Sequence, residues 1–280
     1  MFRAIESARG EPTGLFDDPY APAFLSGPYR VAGRLLGVPG GPAVLAAGFD
    51  LFIPGVRGSA VVRTKLIDDA VVRAIGEGCR QVVLLGAGFD SRAYRLGALA
   101  AIAVFDVDQP AVHTAKRVRL AASHVPHDRV VFFVDVDFEA DDLGVAVCAA
   151  GFDPGVPAVF VWEGVTYYLT EDAVDRTLGS IAEVSARGSR LVFTYMDRRI
   201  VDGGAGVPGG RRLSFAVRRI GARFSFGFET GQVGPYLERR RFDLVSDVTT
   251  AEFARRHLAT VSRNDRASTW EHVVVAVRTA

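Results

Sequence analysis

The sequence predicts an α/β fold: a mostly parallel, doubly wound sheet with one antiparallel strand and a helical cap. Short apolar runs alternate with stretches of helical periodicity, a pattern typical of parallel sheets. The last run, WEHVVVAVRT (270–279), alternates apolar and polar residues, which favours an antiparallel strand next to a sheet edge. The 280 residues are 49% hydrophobic and suffice for a single domain spanning 1–280.

The order of strands and helices follows from these patterns. Gly76 or Gly78 would end the first long helix, Pro110 suits the first turn of another, and Thr170 is a good N-cap for a third. The predicted strands are 81–85, 101–108, 130–137, 157–164, 189–196, 242–249 and 270–279. The predicted helices are 61–78, a short one from about Ser91, 110–122, 170–185 and 233–240.

Two segments depart from this alternation. Residues 1–60 are rich in glycine and proline and are interpreted as short helices joined by turns. Residues 197–232 are too long for an ordinary connection and are predicted to form a cap insertion. Within the cap, glycine-rich DGGAGVPGG (202–210) precedes an amphipathic helix, RRLSFAVRRI (211–220). The residues expected to face the sheet are Leu213, Phe215, Ala216, Val217 and Ile220.

Composition excludes several classes of function. The net charge of +1 offers no global field for nucleic acid. Neither cysteine lies in a metal-binding pattern and the five histidines are scattered, so we predict no metal site. No apolar run reaches the roughly 18 residues of a membrane helix, and MFRAIESARGEP lacks a signal-peptide core. We expect a cytoplasmic protein that binds neither membranes nor nucleic acid.

Acids and close-approach glycines follow four consecutive predicted strands. The first strand ends in Gly86-Ala87-Gly88, the second in Asp106 and Asp108, the third in Asp135 and Asp137, and the fourth in Glu163-Gly164. In an open α/β sheet, ligands bind at this edge, beyond the carboxyl ends of the strands. The four strand ends therefore predict a ligand site.

The ligand is predicted to contain ribose but no phosphate. An acid about 20 residues after the first glycine suits a ribose diol, and Asp106 and Asp108 lie 20 and 22 residues after Gly86. The dinucleotide fingerprint GxGxxG lacks its third glycine, and Asp90 would repel a phosphate at the helix start. S-adenosylmethionine fits better, because its ammonium and sulfonium groups are positive.

Four motifs in a fixed order carry a resemblance to a known family. They are RTKLIDD, VVLLGAGFDSRAYRL, FDVDQPAV followed by Lys116, and VWEGVTYYLTEDAV. Together they resemble the leucine carboxyl methyltransferase family over roughly residues 3–255. The segment RAIESARGEPTGLFDDPYAPAFL looks like the start of its actinobacterial branch, O-methyltransferases of secondary metabolism. The resemblance implies a class I methyltransferase, Rossmann-like sheet and S-adenosylmethionine as cofactor. Family members carry more residues before the RAIE-like segment, so the alternatives are a more open site here or a misassigned start of the chain.

The resemblance also implies roles for individual residues. Arg63 would contact the methionine carboxylate, although a salt bridge with Asp68 or Asp69 is the alternative. Asp90 and Arg92 are expected to be a structural pair below the glycine loop. The other implied cofactor contacts are Gly86, Ala87 and Gly88 in the loop, Asp108 (or Asp106) at the ribose, Asp137 (or Asp135) with Phe138 at the adenine, and Glu163 with Gly164 at the ammonium.

The expected reaction is in-line methyl transfer to an oxygen of a small-molecule or peptide acceptor. A carboxylate acceptor needs no general base, and no histidine lies in the motifs. Arg211 and Arg212 are candidates for holding such a carboxylate below a cap that closes as a lid; alternatively, the late arginines are a solvated helix face. Tyr167 is a pocket wall or a catalytic group. A non-catalytic cofactor-binding protein and an NAD(P)-dependent dehydrogenase are the alternative functions, and the chain is expected to be a monomer or homodimer.

Overall fold

A seven-stranded sheet forms the centre of the protein. The computed structural model describes residues 1–10, 13–123, 129–219, 221–258 and 265–279. The strand order is β3-β2-β1-β4-β5-β7-β6, and β7 runs antiparallel to both of its neighbours. The strands are β1 (Gln81–Leu85), β2 (Ala103–Asp108), β3 (Val131–Asp135), β4 (Ala158–Trp162), β5 (Arg190–Met196), β6 (Phe242–Thr249) and β7 (Glu271–Arg278).

Helices cover both faces of this sheet and form the segments before it. The α-helices are α1 (Phe2–Ser7), α2 (Gly27–Ala32), α3 (Gly41–Phe52), α4 (Val56–Gly76), α5 (Arg92–Arg95), α6 (Pro110–Ala121), α7 (Leu143–Ala149), α8 (Glu171–Val184), α9 (Arg198–Val201), α10 (Gly210–Arg219), α11 (Val233–Glu238) and α12 (Thr250–His257). Short 3₁₀ helices span Ala21–Phe24, Gly33–Gly37, Gly97–Leu99 and Thr166–Tyr168.

The predicted fold class is confirmed, and each predicted strand is present to within two residues at either end. The last strand lies beside the edge strand β6 and runs antiparallel, as its alternating sequence indicates. Strand β1 is buried along its whole length because helices cover both sides of a parallel sheet. Val83 and Leu85 join the hydrophobic cluster on one face, and Val82 and Leu84 join the cluster on the other.

The helix starts agree with the predicted caps, with one exception. Thr170 accepts a hydrogen bond from the Ala173 amide at the start of α8. Helix α4, however, begins at Val56 rather than near Val61. Hydrophobic periodicity does not reveal the first turn, because the residue that packs there is Gly58, which has no side chain. A Cβ on Gly58 would lie 2.1 Å from the Arg266 carbonyl oxygen.

The cap helix α10 buries a different face from the one predicted. Leu213 and Val217 pack with Phe224 and Trp270, but Phe215 is 62% exposed, so its prediction as a sheet-facing residue is wrong. The buried positions follow the helical spacing 210, 213, 214 and 217, which turns position 215 away. Ala216 is partly buried, and Ile220 lies outside the described residues.

Among the helices that the structure describes, no single one is both long and apolar enough to cross a bilayer. Helices α3 and α4 have the required length and composition only as a pair, and they meet at a bend of 113°.

A fully buried ion pair lies between β2 and α6. Asp106 and Lys116 are both 0% exposed, and the Lys116 ammonium donates to Asp106 Oδ2. The Asp106→Asn variant should lower the free energy of unfolding by about 3–5 kcal/mol, because Lys116 would keep its charge without a partner. Urea unfolding measures this loss. Asp69→Asn, in the more exposed Lys65–Asp69 pair, is the control, with an expected change below about 1 kcal/mol. Equal losses in the two variants would contradict the prediction.

Candidate functional site

A cavity of about 430 Å³ lies at the carboxyl ends of β1 and β4. This is the edge of the sheet at which the strand-end acids predict a ligand. Its volume falls within the usual range for small-molecule sites. The predicted site residues that line it are Arg63, Gly86, Ala87, Glu163, Gly164 and Tyr167.

The glycine loop leaves one side of this cavity without side chains. Gly86 has a φ of +59°, and a Cβ there would lie 2.4 Å from Val165 Cγ2. Both the left-handed conformation and the close approach therefore require glycine at position 86. The Asp90 amide donates to the Ala87 carbonyl (2.7 Å), which closes the turn.

Asp108 lies directly beside the loop. Its carboxylate accepts hydrogen bonds from the Gly88 amide (2.6 Å) and the Gln109 amide (2.7 Å). The loop and the carboxylate thus hold each other in place at the end of β2. Gly88 and Asp108 border the cavity rather than line it.

Asp106, the other ribose candidate, is not at the site. Its side chain is fully buried against Lys116 on α6, with His113 Nε2 3.4 Å from Oδ1. The glycine-to-acid spacing could not separate the two aspartates, because alternate residues of a strand share a face. The structure therefore removes Asp106 from the predicted set.

The adenine candidates lie outside the lining of the cavity. The Asp137 side chain is exposed and accepts from the Glu139 amide (3.0 Å). Phe138 is 9% exposed and its ring lies 6.0 Å from that of Trp162, so it is part of the core. The alternative residue, Asp135, is bound to His113 Nδ1 (2.6 Å). A role for Asp137 and Phe138 at the adenine stays a prediction.

Arg63 lies in the wall of the cavity and binds two acids. Its Nε donates to Glu163 Oε1 (2.8 Å), and its Nη1 donates to Glu271. The alternative pairing with Asp68 or Asp69 is wrong. Those two aspartates bind Arg92 and Lys65 instead.

The buried side chain of Arg92 connects the glycine turn to Glu163. Its guanidinium binds Asp90 in the turn, Asp68 on α4 (2.7 Å) and Glu163 Oε2 (2.7 Å). The predicted Asp90–Arg92 pair is thus present and belongs to a larger network. Burial alone would raise the pKa of the Glu163 carboxyl, but Arg92 and Arg63 hold that pKa well below its usual range. Glu163 is therefore an anion facing the cavity.

Three residues of this site escaped the sequence reasoning. Glu271 begins the antiparallel strand, and that end of β7 meets the carboxyl ends of the parallel strands. The predicted antiparallel direction of the last strand could have identified Glu271, because it places the first residue of that strand at the ligand-binding edge. Arg3 lines the cavity, and its guanidinium donates to the Phe89 carbonyl (2.5 Å). Asp68 was considered only as a partner of Arg63.

A second, larger cavity of about 900 Å³ adjoins the first. Its walls are mainly aromatic and aliphatic and include the exposed side of α10. Arg212 and Arg219 line it, but Arg211 does not, which corrects the prediction that Arg211 and Arg212 act together there. The residues common to the two cavities are Phe2, Ala60, Arg63, Tyr167 and Tyr168.

Tyr167 forms part of the boundary between the cavities. It is 5% exposed and packs edge-on against Phe224, with ring centroids 5.5 Å apart. Burial raises the pKa of its hydroxyl far above the usual range, outweighing Arg63, which lowers it. The Tyr167 hydroxyl is therefore neutral near pH 7, and the residue forms part of the wall of both cavities.

The site fits an amino acid carrying a positive group. Arg63 supplies a cation for a carboxylate, and Glu163 supplies an anion for an ammonium group. The glycine loop gives room for a ribose beside Asp108. Among the described residues, no group of three or more His, Cys, Asp or Glu side chains could hold a metal ion.

Comparison with known proteins decides the family. Residues 1–182 match the leucine carboxyl methyltransferases. The chain belongs to this family. Its cofactor is S-adenosylmethionine, and it is a methyltransferase enzyme, which sets aside the dehydrogenase and non-catalytic alternatives.

Relatives agree with this assignment, and a solved structure shares the fold. The chain is 35% identical over 239 residues to a protein of Mycolicibacterium smegmatis named as a candidate S-adenosyl-L-methionine-dependent methyltransferase, covering 82% of this chain and 76% of that one. A protein of the same description from Streptomyces coelicolor is 38% identical over 223 residues, covering 74% and 71%. The fold resembles a candidate methyltransferase of Thermobifida fusca YX, with a TM-score of 0.62, 24% identity, and coverage of 97% and 99%.

The Asp108→Ala variant should weaken the binding of S-adenosylhomocysteine by about 1.5–3 kcal/mol, the usual range for hydrogen bonds to a charged partner. Titration calorimetry measures this, with circular dichroism as the check on folding. Glu77→Ala is the control, because Glu77 pairs with Arg190 at the opposite edge of the sheet. Unchanged affinity in a folded Asp108→Ala variant would remove Asp108 from the site.

The Glu163→Gln variant should bind S-adenosylhomocysteine about tenfold more weakly, because it loses the anion that faces the ligand ammonium. Wild-type affinity should not fall through Glu163 between pH 7 and pH 5, since a carboxyl with a lowered pKa stays ionised over that range. Calorimetry at several pH values tests both statements, with exposed Glu183→Gln as the control. An acid-induced loss of affinity that Glu163→Gln abolishes would contradict the assigned charge.

Proposed function

We propose that this enzyme methylates an oxygen of an apolar small molecule, and that the oxygen is ionised before it enters the site, as in a carboxylate or an acidic hydroxyl. One observation carries the proposal. Among the described residues that line the two cavities, none is a histidine, cysteine or lysine. An acceptor that is already an anion needs no base to remove a proton.

Four acidic and phenolic side chains that line the first cavity, Asp90, Glu163, Tyr167 and Tyr168, are also held in one charge state. Glu163 is held as an anion by two arginines, and burial raises the pKa of both the Tyr167 and Tyr168 hydroxyls. Burial alone would also raise the pKa of Asp90, but the charges of Arg92 and Arg3 outweigh burial, so the pKa lies below its usual value. These groups keep a constant charge near neutral pH, so they orient and stabilise ligands without exchanging protons.

The second cavity supports an acceptor with a large apolar body. Phe52, Phe224 and Trp270 contribute to its walls, and its volume suits a molecule of drug-like size. Because the two cavities share Arg63 and Tyr167 in their walls, an acceptor there would lie next to the cofactor. Exclusion of water by these walls and fixed orientation are the main contributions that the protein makes to such a displacement.

Arg212, which lies between the second cavity and the space next to it, is the residue that we propose for holding the acceptor anion, whereas Arg211 faces only that neighbouring space. Arg212 lies on the cavity side of α10, and among the described residues it has no acidic partner. A guanidinium can bind a carboxylate through two parallel hydrogen bonds. The cap would then cover the acceptor, as its glycine-rich hinge indicates.

The class of acceptor is tested with three matched compounds: biphenyl-4-carboxylic acid, its primary amide and biphenyl-4-methanol. We expect the acid to be methylated at least about tenfold faster than the others, with a product that releases methanol in base. Its rate should stay flat from pH 6 to pH 9, since the carboxylate is ionised throughout. Faster methylation of the amide nitrogen or the alcohol would contradict the proposal, as would inactivity on a wider panel of apolar carboxylic acids and acidic phenols.

The Arg212→Ala variant should raise the acceptor KM about tenfold or more, because the acceptor anion loses a charged partner. Affinity for S-adenosylhomocysteine should stay within twofold of wild type. Arg218→Ala is the matched control, since Arg218 is on the same helix but lines neither cavity. Equal KM values for the two variants would show that Arg212 belongs to a solvated helix face.

A further inference from the structure

A third cavity, of about 720 Å³, adjoins the second cavity, which is called the acceptor cavity from here on because we propose that the acceptor binds there. Its charged lining residues are Arg211, Arg212 and Arg266, and no described lining residue is acidic. Trp270 and Arg212 line both this cavity and the acceptor cavity. We propose that this third cavity binds a phosphate group carrying two or more negative charges.

The three arginines are free to bind such a group. The structure pairs none of them with a described acid, although neighbouring Arg57 binds both Asp50 and Asp265. Like charges that line one cavity without a described acidic partner repel one another, and a multivalent anion would remove that repulsion. Guanidinium groups also match the oxygen geometry of phosphate.

The local backbone brings these arginines together. A Cβ on Gly204 would lie 2.3 Å from the Gly210 carbonyl carbon, so the glycine-rich loop folds tightly onto the start of α10. Arg211 and Arg212 follow at once. Arg266 comes from the other wall, where its carbonyl oxygen packs against Gly58 of α4. Two distant parts of the chain therefore present their cations to one space.

An apolar neighbour distinguishes this cavity from a solvated basic surface. Trp270 is 4% exposed and separates the third cavity from the apolar acceptor cavity. A molecule with an apolar body and a phosphate at its far end would fit with its body in the acceptor cavity and its phosphate in the third cavity. The idea that the phosphate belongs to the acceptor rests on the proposed function. The phosphate site itself does not, because a separate phosphorylated metabolite could bind there through the same chemistry.

Calorimetric titration of the full chain with inorganic pyrophosphate, at a constant ionic strength of about 0.15 M, tests the site. We expect saturable binding that Arg211→Ala and Arg266→Ala each weaken about tenfold. Arg218→Ala should leave it unchanged, because Arg218 lines a different cavity. Affinity for S-adenosylhomocysteine should stay constant in all three variants. Absence of pyrophosphate binding, or an equal loss in Arg218→Ala, would overturn the proposal.

A kinetic measurement separates the two sources of phosphate. Pyrophosphate that inhibits methyl transfer competitively with the acceptor indicates a phosphate on the acceptor itself. Pyrophosphate that alters the rate without competing indicates a separate metabolite. Both outcomes support a phosphate site, and the calorimetric result stands even if the acceptor is not a carboxylate.

Discussion

The buried guanidinium of Arg92 is the constraint on which the rest of the site depends. It is 2% exposed and binds acids from the glycine turn, from α4 and from the end of β4. A buried charge is tolerated only when opposite charges surround it closely. The three elements must therefore meet at one point, and this meeting fixes the glycine loop relative to Glu163.

The same network determines the chemistry of the cofactor cavity. Glu163 is shared between Arg92 and Arg63, and Arg63 is shared between Glu163 and Glu271. Each carboxylate and guanidinium thus has a fixed position and a fixed charge before any ligand enters. Such preorganisation means that a zwitterionic amino acid group meets charges that need little rearrangement. The charged network lines the first cavity, which is therefore polar, whereas mainly aromatic and aliphatic side chains line the second cavity.

The sequence predicted what depends on local pattern and missed what depends on direction in space. Strand ends and the glycine turn follow from short-range periodicity, so they were placed correctly. Asp106 and Asp108 lie at similar distances along the chain from Gly86 and on the same face of β2, and only the packing of Lys116 under β2 separates them. Phe215 looked like a core residue, but the burial of its helix neighbours turns it toward the acceptor cavity. Glu271 lies 208 residues from Arg63, beyond any local signal.

Helix α10 lies apart from the charged network of the first cavity. Its buried side packs on Phe224 and Trp270, and its outer side presents Arg212 and Phe215 to the second cavity, where we propose that the acceptor binds. None of these residues belongs to the Arg92 network. Because distant sites contribute almost independently to stability and binding, substitutions on the outer side of α10 are expected to leave the Arg92 network intact. The charges at the strand ends are constrained by burial among opposite charges, whereas α10 is held by the apolar contacts of Leu213 and Val217 and by the Ser214 hydroxyl, which donates to the Ile200 carbonyl.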